Sequence, residues 1–329
     1  MNLPRQRLLR SLLCVGVTVL GFAGCKARST EANDAPFMSK VTLAPVADDA
    51  LPAESTGGFD GKRAYEQVAK QVSFGPRESG SAAIVQLQNY LETELKSYGC
   101  NVETDSFGSD TPVGRIAMKN ILVKIPGEKP GVILLGTHYD TKRIANFVGA
   151  DDAGSSTGVM LELARLLCPQ HGKYAVWIAF FDGEEAVNLD WKDPDNRYGS
   201  REMAARFAAS GDIPKIKAFL LADIVGGRNL HVRRESSSTK WLKDLVWKTA
   251  DRLGYQNIFL NAETEVSDDH LSFLSRNVPS ADVIDGDLGP NGEVYYWHTP
   301  QDTMDKISAK NLGIVGHVFL ESVKQLQTK

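Results

Sequence analysis

The stretch YAVWIAFFDGEEA, residues 174–186, is an apolar run that ends in three carboxylates. A near-continuous apolar run of this length is typical of a strand that is buried on both faces, as in a parallel sheet covered by helices. Asp182, Glu184 and Glu185 follow the run, and two of them are adjacent. Carboxylates crowded in this way repel one another unless a cation neutralises them or one of them carries a proton. The stretch therefore predicts a buried strand with a functional site at its end.

Other parts of the chain show the same alternation of apolar strands and amphipathic helices. A turn from Pro126 to Gly131 is expected between the first two of these strands, and a hydroxyl of Ser155, Ser156 or Thr157 is expected to cap the second helix. The predicted strands are residues 119–127, 131–140, 174–183 and 216–226, and the predicted helices are residues 82–99, 156–167, 241–254 and 311–327. Strands that alternate with helices predict a single-domain α/β sandwich with a mostly parallel central sheet flanked by helices.

The amino terminus, MNLPRQRLLRSLLCVGVTVLGFAGC, is basic and then apolar from Leu12 to Ala23. That run is shorter than the roughly 20 residues that span a bilayer, so residues 1–24 are interpreted as a signal peptide. The tetrapeptide before residue 26 resembles the lipobox of bacterial lipoproteins, which implies cleavage before Cys25 and its lipidation. Phe22 replaces the usual Leu, so secretion without a lipid stays open. We expect an exported protein, anchored by lipid at the periplasmic or outer-membrane face or secreted.

The remaining composition limits the possible partners. Residues 25–56 are interpreted as the lipidated Cys25 and a flexible tether, because they are polar and lack a sustained period, and residues 57–329 as the catalytic domain. No basic run follows the signal peptide, which argues against a nucleic-acid partner and leaves the lipid as the only expected membrane contact. Cys100 and Cys168 either form a disulfide or remain structural thiols, and both alternatives stay open.

In α/β sheets of this kind the active site lies outside the carboxyl ends of the strands. Metal-capable side chains follow several predicted strands. Zinc binds His nitrogen and carboxylate oxygen, and catalytic sites use three protein ligands with one open position. Asp152, one glutamate of the Glu184–Glu185 pair and His298 would supply such a set, with the other glutamate free to act as a general base and acid. Singly, each of these residues is as readily a capped turn or a solvated acid.

Seven motifs now identify a family resemblance. They are GTHYDTK, FVGADDAG, FFDGEEA, RYGSREMAARF, LLADIVG, DDHLSFLSRNVP and WHTPQDT, in this order along the chain. From about residue 60 to residue 329 the chain resembles the zinc aminopeptidases and glutaminyl cyclases, which share one fold. The resemblance implies a mixed sheet flanked by helices, in agreement with the α/β prediction above.

By motif, the resemblance implies that Asp152, Glu185 and His298 bind zinc and that Glu184 is the catalytic acid and base. His138 and Asp223 match residues that hold a second zinc ion in the aminopeptidases. The glutaminyl cyclases carry the same two residues but use a single zinc ion. These two positions therefore do not separate the two activities.

Further matches favour a cyclase. Trp191 and Trp297 match aromatic residues of the cyclase pocket, although each could also be an ordinary core or rim residue. Asp268 matches an acid that shares a hydrogen-bond relay with the general acid/base and Asp223. Asp282 stands where the animal cyclases carry a pocket-lining His, and Thr137 and Thr157 replace their disulfide near the metal. His171, His231, His270 and His317 are not expected to be metal ligands.

The expected function is that of a glutaminyl-peptide cyclotransferase that uses one zinc ion. It would convert the N-terminal glutamine of a peptide or protein to pyroglutamate and release ammonia. One alternative is a two-zinc aminopeptidase, which would release a free amino acid instead. The other is a surface lipoprotein that binds peptides without turning them over, an alternative weakened because Glu184 and the zinc ligands are all present.

Overall fold

The computed structural model describes residues 49–329. The predicted signal peptide, Cys25 and the tether up to residue 48 lie outside the described residues. Within them, Ala53–Thr56 forms a short 3-10 helix in which Thr56 is fully buried. The hydroxyl of Thr56 donates a hydrogen bond of 2.6 Å to the carbonyl oxygen of Phe59. Residues 53–56, at the end of the predicted tether, therefore belong to the folded unit.

Within residues 49–329, six strands form the central sheet and seven α-helices accompany it. In chain order the elements are α1 (Gly61–Val72), α2 (Ala82–Ser97), β1 (Val102–Thr111), β2 (Gly114–Ile125), β3 (Gly127–His138), α3 (Gly154–Leu167), β4 (Gly172–Phe181), α4 (Tyr198–Ser210), β5 (Ile216–Asp223), β6 (Val232–Glu235), α5 (Lys240–Arg252), β7 (Phe259–Thr264), α6 (His270–Leu274), β8 (Ser280–Ile284) and α7 (Ala309–Thr328). Strands β6 and β7 form a separate two-stranded sheet.

The central sheet has the strand order β1-β2-β4-β3-β5-β8 and is mixed. Strands β4, β3, β5 and β8 run parallel, whereas β2 pairs antiparallel with both β1 and β4. The predicted α/β architecture is confirmed, and the antiparallel part lies at one edge. Strand β1 was not predicted, because its sequence, VETDSFGSDT, has neither an apolar run nor a buried face.

Two hydrophobic layers enclose this sheet. Ile178 and Phe180 of β4 point into a core formed with α1, α2, α3, α5 and α7. Trp177 and Phe181, which alternate with them, point to the opposite face and pack with α4 and α6. Because successive side chains of a strand point to opposite faces, an uninterrupted apolar strand is what a sheet between two helical layers requires. This packing makes the domain a three-layer α/β/α sandwich.

Two local predictions are wrong. Helix α3 begins at Gly154 after Ala153, and no side chain caps it. The hydroxyls expected to cap it lie in its first turn instead. Thr157 donates to the carbonyl oxygen of His138 at 2.8 Å, and Ser155 donates to that of Asp151 at 2.6 Å.

The turn expected from Pro126 to Gly131 consists of Pro126 alone, because β3 already begins at Gly127. The extra residues form an irregularity in the strand between Lys129 and Val132.

Cys100 and Cys168 form a disulfide, with their Cα atoms 5.1 Å apart. The bond joins the chain just after α2 to the C-terminal end of α3. Of the two alternatives left open by the sequence, the structure therefore has the disulfide.

Among residues 49–329, no helix has both the length and the apolar character needed to cross a membrane.

Candidate active site

The carboxyl ends of the parallel strands meet at one edge of the sheet. His138, the last residue of β3, pairs with the end of β4, and Asp223, the last residue of β5, pairs with the end of β8. A cavity of about 300 Å³ opens at this edge. Its lining includes seven of the residues predicted from the sequence: Asp152, Glu184, Trp191, Asp223, Asp268, Trp297 and His298. The topology thus gathers side chains that are far apart in the sequence.

The three predicted zinc ligands lie together. His298 Nε2 is 3.4 Å from Asp152 Oδ2 and 3.3 Å from Glu185 Oε1. Asp152 and Glu185 are buried, and Glu185 Oε1 has no hydrogen-bond partner among the described residues. Burial disfavours the charged form of His298, but Glu185 and Asp152 outweigh it and raise the pKa of this histidine to about 9. Two carboxylate oxygens around one imidazole nitrogen, one of them unpaired, are donors that fit a zinc ion.

A second group of ligand atoms adjoins the first and shares Asp152 with it. His138 Nε2 lies 3.0 Å from Asp223 Oδ1 and 3.3 Å from Asp152 Oδ1. The two oxygens of Asp152 therefore face two different histidines, and the described residues offer a metal-capable group on each side. Burial lowers the pKa of His138, but Asp223 and Glu184 raise it overall. This geometry suits either two bridged metal ions or one ion beside a His138–Asp223 pair.

Glu184 lies in the cavity wall and is held by its backbone. Its N–H group donates to Asp140 Oδ1 at 3.0 Å, and the N–H group of Glu185 donates to Asp140 Oδ2 at 3.3 Å. One buried carboxylate therefore fixes both glutamates, so that Glu185 faces His298 while Glu184 faces the cavity. Burial raises the pKa of Glu184, which His138 opposes and Asp268 reinforces. A carboxyl group that faces the cavity in this way is suited to accept and return a proton.

Lys142 contacts the other oxygen of Glu185. Its ammonium is 3.3 Å from Glu185 Oε2, donates to the carbonyl oxygen of Ala186 at 3.0 Å, and lies 5.6 Å from the centre of the Trp191 ring. Its side chain is only 2% exposed, so this charge is largely shielded from water. The sequence contains it in the GTHYDTK motif, but no local pattern distinguishes a buried lysine from a surface one. Lys142 leaves only Oε1 of Glu185 free for a metal.

A hydrogen-bond network connects the two ligand loops. Asp302 accepts the N–H groups of Asp151 at 2.8 Å and of Asp152 at 3.1 Å. Asp151 accepts the hydroxyl of Tyr296 at 2.7 Å and the N–H group of Gly226 at 2.8 Å. The loop that carries Asp152 is thereby fixed against the loop that carries His298. Asp302 and Tyr296 were missed because hydrogen bonds across such sequence distances leave no local pattern.

Two site residues have a left-handed backbone. His298 has φ 53°, and Ile224, which follows Asp223 and lines the cavity, has φ 46°. This conformation is unfavourable for residues with a Cβ, above all for a β-branched one such as isoleucine, and it is found where the surrounding structure enforces it. Ile224 adjoins Asp223, and His298 is itself a candidate ligand. Backbone strain at these two positions is therefore consistent with a functional site.

Two tryptophans form part of the cavity wall. Trp191 and Trp297 both line the cavity, and the ring of Trp297 stacks on that of His298 with centroids 4.0 Å apart and an angle of 24° between planes. The aromatic walls thus adjoin the candidate metal ligands directly. An apolar wall with a few polar groups is typical of a small-molecule pocket.

Asp282 differs from its predicted place in a pocket wall. It is fully buried behind Asp268, with Oδ2 3.5 Å from Nδ1 of His270. The physical reason is its position in the middle of β8, where its side chain is enclosed next to Asp268 and His270 and does not reach the cavity lining. Among the other histidines, His171 is exposed and His317 packs against Tyr255, so both lie apart from the site.

The chain is similar to several known proteins. The glutaminyl-peptide cyclotransferase-like protein of Bos taurus is 31% identical over 278 residues, which cover 74% of this chain and 71% of that protein. The crystal structure of an Acidobacteriales bacterium glutaminyl cyclase is 38% identical with a TM-score of 0.77, covering 87% of this chain and 98% of that one. A zinc-dependent exopeptidase from Parabacteroides distasonis is 29% identical with a TM-score of 0.72, covering 80% and 98%.

The family model for peptidase family M28 covers the strands and loops that carry all of the candidate ligands. It extends from β2 to α7, over residues 120–323. This match spans more than half of the sequence, and it shows that the chain belongs to peptidase family M28.

Proposed function

We propose that this protein is a zinc-dependent glutaminyl-peptide cyclotransferase, an acyltransferase that converts N-terminal glutamine to pyroglutamate and releases ammonia. The observation that carries the proposal is the position of Glu184, a carboxyl group with a raised pKa in an aromatic-walled cavity beside the candidate zinc ligands. The names of the similar bovine and bacterial proteins support the same activity. The substrate would be a peptide or protein with a free N-terminal glutamine.

Asp152, Glu185 and His298 would hold the zinc ion. A zinc ion bound there supplies a Lewis acid that polarises the side-chain amide of the substrate and stabilises the negative charge on its oxygen. Lys142 keeps Glu185 oriented, and the stacked Trp297 keeps the His298 ring in place. Trp191 and Trp297 form walls against which the short apolar chain of glutamine packs, and they exclude water from the amide.

Glu184 would move the proton. Its carboxylate takes a proton from the α-amine of the substrate as the amine nitrogen forms a bond to the side-chain amide carbon. It then gives that proton to the departing nitrogen as the original C–N bond breaks, so that ammonia leaves and no water is consumed. Asp223 and Asp268 line the same cavity and would hold the amine and the Glu184 carboxyl group in position.

A two-zinc aminopeptidase is the second candidate. It is favoured by the group formed by His138, Asp152 and Asp223, which offers a second metal-capable position, and by the similar zinc-dependent exopeptidase. In that enzyme Glu184 would activate water against the first peptide bond. The product would then be a free amino acid rather than ammonia and a cyclised peptide.

The test is the product formed from a glutamine-initiated dipeptide by the purified, zinc-loaded protein. We expect ammonia together with a product lighter by one ammonia, and Glu184→Gln should lower kcat by about 10²–10⁴-fold. Glu265→Gln, which changes an exposed acid at the cavity rim in the same way, is the matched control. An N-acetylated dipeptide, which lacks the attacking amine, should not react.

Metal content separates the two candidates independently of the product. We expect about one tightly bound zinc ion per chain and full recovery of activity when one equivalent is returned after chelation. Two tightly bound ions together with free glutamine as the product would instead establish the aminopeptidase.

We also propose that the protein is exported and anchored through Cys25, which a tether would join to the folded catalytic domain. The sequence FAGC after a basic and apolar start supports this placement. Cys25→Ala should abolish incorporation of labelled fatty acid. Equal labelling of the variant and the wild type would contradict the lipid anchor.

A further inference from the structure

A row of four buried ionisable side chains leads away from the cavity. It runs from Asp268, which lines the cavity, to Asp282, His270 and Glu235, and none of the four is more than 3% exposed. Glu235 ends β6, His270 begins α6 and Asp282 lies in β8, so three separate elements meet here. Burying this many charges costs free energy unless they are paired or share protons. The arrangement therefore calls for a function beyond packing.

Glu235 is a fixed anchor at the far end. Its two oxygens accept the N–H groups of Ser237 at 2.8 Å and Ser238 at 2.6 Å, and both serine hydroxyls at 2.7 Å. Burial raises the pKa of Glu235, but His270 and these donors outweigh it and lower the pKa overall. A carboxylate that accepts four such hydrogen bonds stays ionised and does not move.

His270 lies between this anchor and Asp282. Its Nε2 lies 3.2 Å from Glu235 Oε2, and its Nδ1 lies 3.5 Å from Asp282 Oδ2. Ser238, which donates to Glu235, also accepts the N–H group of Asp282 at 3.0 Å. Glu235 is therefore next to Asp282 by two routes: His270 lies between the two side chains, and Ser238 connects Glu235 to the backbone of Asp282.

Asp282 in turn faces Asp268. The ligand atoms of Asp268, His270 and Asp282 all lie within 4.8 Å of one another. Burial, and next the neighbouring Asp268, raise the pKa of Asp282 well above its ordinary range. Two buried carboxylates this close repel each other unless a proton lies between them. Oδ2 of Asp268 and both oxygens of Asp282 have no other hydrogen-bond partner among the described residues, so a shared proton could join the two side chains.

We propose that His270, held by Glu235, is a positioning residue that fixes Asp282 against Asp268 and thereby sets the orientation of Asp268 in the cavity. The inference rests on the proposed cyclase activity and extends it to residues that do not touch the substrate. In the proposed reaction Asp268 aligns the attacking amine with Glu184, whereas the aromatic walls contact the rest of the glutamine side chain, so misplacing Asp268 should lower kcat more than it raises KM.

The kinetic test uses His270→Ala, with His270→Asn as the conservative variant because the asparagine amide retains a donor near the position of Nδ1. We expect His270→Ala to lower kcat about tenfold or more while KM changes less than about twofold, and His270→Asn to recover most of the loss. Asp282→Asn replaces the carboxyl group with an amide, whose N–H can donate to Asp268 without a titratable proton. In the Asp282→Asn background, His270→Ala should therefore lower kcat much less than it does in the wild type. A double-mutant cycle on kcat measures this difference.

His317→Ala is the matched control, because His317 is also a buried histidine but lies against Tyr255, away from the cavity. It should lower the unfolding temperature without lowering kcat. If His270→Ala behaves like this control, or if its effect is unchanged in the Asp282→Asn background, the positioning role is wrong. Loss of one bound metal ion per chain in His270→Ala would also overturn it, since the cluster would then be a metal site.

A spectroscopic measurement keeps this test independent of the proposed activity. In protein labelled with ¹⁵N-histidine, the ring signals of His270, assigned by their loss in His270→Ala, should shift in both Glu235→Gln and Asp282→Asn. Ring signals that do not respond to either change would contradict the linkage even if the wild type shows no cyclase activity. Responsive signals with no ammonia release by the wild type would instead reject only the proposed function.

Discussion

The hydroxyl group of Tyr296 donates a hydrogen bond of 2.7 Å to the buried carboxylate of Asp151. Each of these residues lies close in sequence to a candidate zinc ligand: Asp151 precedes Asp152, and Tyr296 is two residues before His298. The contact therefore connects the two ends of the ligand set directly. Its contribution can be measured without changing any ligand.

We expect Tyr296→Phe to lower the free energy of unfolding by about 1–3 kcal/mol, because it removes one partner of a buried charged acceptor. Zinc affinity should fall as well, since the two ligand loops are no longer joined at this point. Denaturant unfolding and competition with a chelator measure the two effects. Tyr295→Phe is the matched control, because Tyr295 is half exposed, and it should change neither quantity.

Lys142→Met should destabilise the metal-free protein by roughly 3 kcal/mol, because it leaves the buried Glu185 without its cationic partner. The loss should be smaller in the zinc-loaded protein, in which the metal ion neutralises the same carboxylate. Urea unfolding with and without zinc measures both values. Lys248→Met, at an exposed position of α5, is the control, and an equal loss in both metal states would contradict the proposed pairing.

The disulfide closes a loop between positions separated by 68 residues. Restricting a chain of that length in the unfolded state stabilises the native protein by roughly 4 kcal/mol in the chain-entropy model. The variant with both Cys100→Ser and Cys168→Ser should lose about this amount in urea unfolding. Reductant should lower the stability of the wild type to that of the variant and leave the variant unaffected.

The buried carboxyl group of Asp182 should make the stability of the protein depend on pH. Burial, and next the neighbouring Asp140, raise the pKa of Asp182 to about 7, against about 3.9 in an unfolded chain. The folded state then binds the proton more tightly, so the contribution of this group is full below about pH 4 and is lost as the pH rises through about 7.

The test compares the wild type with Asp182→Asn in urea unfolding between pH 4 and pH 8. The wild type should lose stability relative to the variant over this range, by an amount on the order of a few kcal/mol. Asp190→Asn, at an exposed position, should run parallel to the wild type. A constant difference between wild type and Asp182→Asn at every pH would show that Asp182 does not titrate there.

Much of the fold was predictable because its strongest signals are local. The apolar run of β4 and the stripe of α2 are dictated by burial on both faces of a sheet and on one face of a helix, and both elements were found where predicted. Edge strand β1 was not predictable, because partial exposure removes the apolar pattern and only its pairing with β2 makes it a strand.

The residues of the candidate site also fall into a predictable group and an unpredictable one. Residues near the carboxyl ends of predicted strands, such as Glu184 and Asp223, were predictable because parallel strands bring these ends to one edge. The residues that support them were not, since Asp140, Lys142 and Asp302 act through contacts set by the packed structure. Asp282 was misplaced for a related reason: strand register decides whether an acid lines a cavity or lies behind its wall.

The candidate zinc ligands Asp152, Glu185 and His298 are made at different times during synthesis of the chain. Asp152 lies in the first half of the chain, whereas His298 and the Tyr296 that supports its loop come near the end. A chain still emerging from the ribosome therefore offers at most an incomplete, electrically repulsive half-site, in which Asp152 and Glu185 lack their imidazole partner. Tight binding at the proposed zinc site therefore requires the chain to be present and folded at least as far as His298, so retained zinc would distinguish folded molecules from shorter fragments.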